Sequence, residues 1–272
     1  MLVPASGITL ENWRNYAAGQ VERRLWSAIV PAAGRGSRLG FNRPKILYPV
    51  AGRMILEWLL DLLLPNCQTI VFVLSPEGSL EIARELARIA PDRYKIALQE
   101  QPTGMGDAVE IGARELTTMH AIVVWGDQVA LRPETVDAIV RLQQGPLEPV
   151  ATVPTLRVHA PYIHFPRDNT GRIVAVLQAR EGDAMPEDGE SDAGVFCFRS
   201  ADLKALLDEL HRSPNALGRA TEEFNFLPII PLAAQTGRVV LTPQVLRAEE
   251  TIGVNNAADA KRLEAFLKAN CG

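Results

Sequence analysis

The stretch AAGRGSRLGFNRPK, residues 32–45, follows the apolar run SAIV and holds three glycines, four basic side chains and one proline. Glycine lets a backbone approach a ligand closely, and the N–H groups of such a turn converge on anions. A loop this flexible and this positive, at the end of a strand, reads as a phosphate cradle. Outward from it, short β-branched runs alternate with helical ones. AIV (28–30), TIVFVLS (69–75), YKIALQ (94–99) and AIVVWGD (121–127) are strand-like, and 54–64, 79–90, 107–117 and 133–144 carry helical spacing. That rhythm predicts right-handed crossovers between parallel strands with helices on both sheet faces. The fold class is a Rossmann-like, doubly wound α/β sheet in three layers. After residue 149 the rhythm becomes irregular around VATVPTL, GRIVAVLQ, GVFCFRS and RVVLTP, which predicts a mixed sheet with a lid. Residues 1–26 are expected to be a helical extension, with TLENWRNYAAGQVERRL (9–25) as its helix, and 27–272 to be the main domain.

Bulk properties narrow the function. The 272 residues are 47% hydrophobic, enough for a sizeable core. With 28 basic and 32 acidic side chains the net charge is −4, so the basic footprint of a nucleic-acid binder is missing. The greasiest stretch, MILEWLLDLLL, contains Glu57 and Asp61 and is too short to cross a bilayer. The first residues lack the pattern of a secretory signal. Cys67, Cys197 and Cys271 are widely spaced and odd in number, which fits neither a disulfide framework nor a zinc site. A cytoplasmic setting is expected, with no membrane and no nucleic-acid partner. The four histidines have no metal-ligand spacing, and the acidic run 181–192 reads as a solvated loop, with Asp192 the exception to watch.

In sheets of this type ligands lie beyond the carboxyl ends of the strands. GRGS could instead open a dinucleotide site. That reading wants an acidic side chain at the end of the second strand, but TIVFVLS ends in Ser75 and Pro76. Arg38 and Lys45, flanking the Asn42-Arg43-Pro44 turn, suit a triphosphate better.

PAAGRGSRLGFNRPKIL resembles the G-x-G-x-R…P-K loop of the sugar-1-phosphate nucleotidyltransferases, in particular the uridyltransferase domain that makes UDP-N-acetylglucosamine. Five further segments keep that family's order: LQEQPTGMGDA (98–108), VVWGDQVAL (123–131), GRIVAVLQAREGD (171–183), SDAGVF (191–196) and GVNNAADAKRLE (253–264). The resemblance implies a nucleotide-diphospho-sugar transferase fold and a transfer between a nucleoside triphosphate, UTP first, and a sugar 1-phosphate. It implies Arg38 and Lys45 as the catalytic cations, and Ala33, Gly34, Gly36, Gln99, Gly104 and Met105 around the nucleotide. It places Mg2+ on Asp127 and Asn255. The residue types agree: Asp127 emerges at the carboxyl edge after a buried-looking strand, and magnesium prefers hard oxygen ligands completed by phosphates and water.

The sugar-side positions depart from the close relatives. Gln178 stands for their Glu, Asp192 for their Asn and Ile163 for their Gly, beside Gly194; Met105 stands for their Thr on the base side. A modified or different sugar phosphate is therefore expected. Bifunctional relatives continue into a hexapeptide-repeat acetyltransferase that this sequence is expected to lack, and the oligomeric state stays open. Competing readings are a cytidylyltransferase acting on a polyol phosphate, which VPAAGRGSRLG and RPK also resemble, and a non-catalytic nucleotide-sugar sensor.

Overall fold

A computed structural model describes residues 7–270. Its central sheet runs, edge to edge, Val240–Leu241, Ala151–Thr152, Val195–Arg199, His120–Val124, Trp26–Pro31, Thr69–Leu74 and Tyr94–Leu98. Neighbours are parallel except at Val195–Arg199, which is antiparallel to the strands on both sides, so the sheet is mixed as expected. Among the described residues the α-helices are α1 (Ile55–Leu63), α2 (Pro76–Ile89), α3 (Met105–Arg114), α4 (Pro133–Gln143), α5 (Ser200–Arg212), α6 (Ile229–Gln235) and α7 (Ala257–Asn270).

The two-residue period of a strand divides the core. Ala28, Val30, Ile70, Phe72, Ile122 and Val124 face α1, α2, α4 and α7, whereas Ile29, Val71, Val73, Ala121 and Val123 face α3, α5 and α6. Burial on both faces is why these strands read as continuous apolar runs rather than alternating ones. The greasy stretch resolves in the same way. Leu56, Leu59, Leu60 and Leu63 of α1 are buried at helical spacing, while Glu57 turns back to accept the Met54 N–H at 2.9 Å. No helix among the described residues is long and apolar enough to cross a membrane.

Two expectations fail locally. Residues 9–25 are not one helix but two 3-10 turns, Trp13–Tyr16 and Arg23–Leu25. Beside its local turn bonds the segment is tied outward: Ala18 N–H donates to Arg141 O at 2.9 Å and, just before it, Ile8 O accepts the Gln244 N–H at 2.8 Å. Ile8 and Trp13 are buried in the main core, so burial against α4 overrides the segment's weak helical spacing. GRIVAVLQ forms a strand only at Leu177–Gln178; before it Ile173 makes a single antiparallel bridge with Arg167, with Val174 N–H donating to Pro166 O at 3.0 Å. Residues 1–6 of the extension and Cys271 lie outside the described residues; Cys67 and Cys197 are buried free thiols.

Candidate active site

Parallel strands deliver their loops to one edge, and three loops meet there: residues 32–45 after Trp26–Pro31, 99–104 after Tyr94–Leu98, and 125–131 after His120–Val124. The glycine loop folds back on itself. Lys45 N–H donates to Gly34 O at 3.2 Å and Phe41 N–H to Gly36 O at 3.1 Å. A Cβ on Gly36 would lie 2.8 Å from Phe41 O, so the hairpin closes only with glycine there. The loop also seats on α2. Arg35 pairs with Glu77, Arg43 Nε donates to Glu81 Oε1 at 2.5 Å, and Gly78 leaves room for the Pro44 ring.

Lys45 turns inward. Its Nζ donates to Asp127 Oδ2 at 2.6 Å and to Asn255 Oδ1 at 3.1 Å. The segment carrying Asn255 is fastened at Asp127, whose backbone oxygen accepts the Val254 N–H at 3.0 Å. Gly253 lets the chain pass there, since a Cβ would stand 3.0 Å from Asp127 Oδ1. The structure thus brings together three of the four residues expected to act on the phosphates. Arg38 stays apart, exposed on the turn Ser37–Leu39 and lining no cavity of this site.

Two cavities open on either side of Asp127. One, of about 310 Å3, is lined by Ala33, Gly34, Lys45, Gln99, Gly104 and Met105, the expected nucleotide residues except Gly36, which serves loop closure. Buried Gln99 is locked in place: its amide donates to Gly104 O at 3.0 Å and to Asp107 Oδ2 at 2.9 Å. Gly104 has φ +122°, and a Cβ would meet Phe224 O at 2.5 Å. The 103–106 turn is in fact clamped by Phe224, through Phe224 N–H to Thr103 O at 2.8 Å and Gly106 N–H to Phe224 O at 2.9 Å.

The second cavity, of about 220 Å3, gathers the expected sugar positions Ile163, Gln178, Asp192 and Gly194, with Asn255 at its rim. Ile163 and Gln178 are cross-strand partners in a two-residue ladder between Ile163–His164 and Leu177–Gln178. Asp192 ends the strand Asp188–Asp192, paired with Thr155–His159. Its Oδ1 accepts the Gly194 N–H at 2.6 Å, and burial pushes its carboxyl up to about 6 against the pull of that bond. The acidic run is therefore not uniformly solvated. Buried Glu181 also faces inward, accepting from Ala220 N–H at 2.9 Å and Thr221 Oγ1 at 2.8 Å.

Both cavities are lined by Met105, Trp125, Asp127 and Arg180. Trp125 and Arg180 were not singled out by the sequence. Trp125 is wedged among Phe196 and Phe226, with ring centroids at 5.2 and 5.4 Å. Arg180 is tethered to Glu223, also in the nucleotide-side wall, at 2.6 Å. A cation beside a strand that already carries a sugar position was the available signal for Arg180; nothing local flagged Glu223.

The doubly wound sheet thus sets a glycine-rich basic loop and a Lys-Asp-Asn cluster beside two adjoining cavities. Residues 28–192 match the MobA-like NTP transferase domain, more than half of the chain, and the chain belongs to that family. Among curated proteins it is similar to those named bifunctional protein GlmU. That of Pelobacter propionicus is 28% identical over 89% of this chain and 52% of its own length. The one of Carboxydothermus hydrogenoformans is 30% identical over 86% and 51%, and that of Anaeromyxobacter dehalogenans 29% over 89% and 51%. The chain spans about half the length of these relatives.

Proposed function

We propose that the chain joins a sugar 1-phosphate to a nucleoside triphosphate, with UTP as the nucleotide, and releases pyrophosphate. The observation that carries this reading is the pair of cavities sharing one wall at Asp127, to which Lys45 of the nucleotide-side wall is bonded. A nucleotide enters on the Gln99–Gly104 side and a sugar on the Gln178–Asp192 side, so the groups that must react arrive at the same lysine. The attacking sugar-phosphate oxygen is already anionic and needs no general base. It displaces pyrophosphate from the α-phosphorus in line, and the work left to the protein is alignment and charge neutralisation. Lys45 supplies a fixed cation at the junction. Arg38, on the exposed outer turn of the loop, is assigned to the departing pyrophosphate.

Asp127 and Asn255 fit a Mg2+ ion. Their hard oxygens converge on one cation, the Lys45 ammonium, and phosphate oxygens and water would complete the coordination. When bound, the metal supplies Lewis-acid polarisation of the α-phosphate. The cytidylyltransferase and sensor readings gain no specific observation. A pyrophosphate-release assay over nucleoside triphosphates and sugar 1-phosphates tests the function. Release with UTP and at least one sugar phosphate, abolished by EDTA and restored by Mg2+, is expected. Release with CTP and a polyol phosphate alone, or activity undiminished by chelation, overturns the corresponding part.

A further inference from the structure

Asp127 and Asn255 come from loops far apart in sequence, and neither sits in a helix or strand. The same two loops meet a second time. Arg132, five residues after Asp127, leads into α4, and Glu250, five residues before Asn255, lies in the 3-10 turn Ala248–Thr251. Arg132 Nε donates to Glu250 Oε1 at 2.9 Å and the Arg132 backbone N–H to Oε2 at 3.0 Å. A third donor, the Arg247 N–H, reaches Oε1 at 2.8 Å. With Val254 N–H on Asp127 O at 3.0 Å, segments 127–132 and 250–255 run past each other in opposite directions and are tied at both ends.

The two segments need these ties unequally. Val129, Ala130 and Leu131 are buried and hold the first by packing, whereas Thr251, Ile252 and Gly253 are only half-buried. Asn255 N–H donates to Asp259 Oδ2 at 3.0 Å, which fastens it to α7 but not to Asp127. Lys45 spans the Asp127 and Asn255 oxygens, but a bond to those atoms competes with any other cation they take. The Glu250 carboxylate is fully buried. Such an ion pair adds little net stability over an apolar pair of the same volume, and its best-attested use is to fix register. We propose that Arg132 and Glu250 are a positioning pair, which sets the spacing of the two loops so that Asp127 and Asn255 present their oxygens to one divalent cation. The inference rests on the proposed function and adds to it two residues that act through their neighbours.

Two measurements test it. The first titrates Mn2+ by electron paramagnetic resonance into wild type, R132K and R132M/E250Q, each with a non-hydrolysable UTP analogue, and measures affinity for the analogue alone by calorimetry. Removing one partner would strand a buried charge, so the double variant, which leaves none, carries the test. Its Kd for Mn2+ is expected to rise at least about tenfold. R132K, which keeps the charge and loses the fork, should fall between it and wild type. Affinity for the analogue without metal should stay within about threefold, because Gln99 and Gly104 lie on other segments. A Kd for Mn2+ within about twofold of wild type overturns the proposal, and so does an equal loss of nucleotide affinity, which would mean general loosening. The second measurement is amide hydrogen exchange on wild type and needs no variant to fold. A pair that favours metal binding is favoured by the metal in return. Adding Mg2+ to the analogue complex should therefore slow exchange at Arg132, Arg247 and Val254 together, by at least about threefold. Unchanged exchange at Arg132 and Arg247 overturns the proposal. Wild type that binds no Mn2+ and releases pyrophosphate in EDTA overturns the metal assignment and this proposal together, whereas equal Mn2+ binding by wild type and the double variant overturns this one alone.

Discussion

The two cavities have opposite interiors. On the nucleotide side the buried amide of Gln99 is spent on Gly104 and Asp107, Thr103 Oγ1 adds a bond to Asp107 Oδ2 at 2.5 Å, and Phe224 clamps the turn from a distant segment. On the sugar side, Asp192 and Gln128 keep buried atoms without partners. A wall satisfied from within is pre-organised, and suits a component that is the same in every turnover. A wall that keeps buried polar atoms without partners is the less settled of the two, so substitutions there should change stability in the opposite sense to those on the satisfied side.

The largest expected effect removes what the two sides share. Lys45→Ala deletes the cation at the junction and should lower kcat by roughly 100- to 1000-fold, equivalent to about 2.7–4 kcal/mol of transition-state stabilisation. The Gln99–Asp107 and Asp192–Gly194 bonds lie on other residues, so circular dichroism should show an unchanged fold. Near-normal turnover would remove Lys45 from the chemistry and leave two unrelated cavities.

The next two should differ in sign, which is the sharpest form of the comparison. The Asp192 carboxyl stands at about 6 when folded against an ordinary value of 3.8. The unfolded chain therefore loses this proton first, and the contribution falls as pH rises from about 4 to about 6. Above that window the ionised, buried carboxylate costs at most about 3 kcal/mol, from a shift of about two pKa units. Asp192→Asn removes the titration, so in urea denaturation its stability should exceed wild type near pH 7 and converge with it towards pH 4. Equal stabilities at both pH values would mean that the carboxylate already has an internal partner. Gln99→Ala should do the reverse. It strips donors from the half-buried Gly104 carbonyl and the Asp107 carboxylate and should destabilise by about 2 kcal/mol, with a higher KM for the nucleotide. A stabilised Gln99→Ala would abolish the contrast.

Much of this was legible in the chain. The alternation of β-branched runs and helices placed the sheet because strands buried on both faces carry unbroken apolar runs. The glycine loop was legible because its shape is set by local backbone geometry, a hairpin needing Gly36, whereas Asp127 and the GVNN segment, which meet across the chain at Gly253, were singled out by the family resemblance of their motifs. What was not legible depends on partners far away in sequence. Phe224 holds the Gly104 turn, Glu223 tethers Arg180, and Glu181 anchors 220–221 from within an acidic run that looks solvated. The helix expected over 9–25 failed for the same reason, since Ile8 and Trp13 gain more by burial against the main core than a short helix would.

The smallest expected effect concerns the basic residues of the glycine loop, which composition alone would rank together. Arg35 pairs with Glu77, but both are about 70% exposed, at 74% and 68%. Such pairs contribute between nothing and about 1 kcal/mol and are screened by salt. The loop's position is set instead by its backbone bonds at Lys45–Gly34 and Phe41–Gly36 and by Pro44 packed where a Gly78 Cβ would lie, 2.6 Å from its Cγ. Arg35→Ala should therefore shift stability by less than about 1 kcal/mol and change the nucleotide KM only at low ionic strength, where long-range attraction of a polyanion is unscreened. If kcat instead fell as far as for Lys45→Ala, the loop would depend on its ion pairs for shape, and its cations would act as one charged surface rather than as one inward lysine and an outer rim.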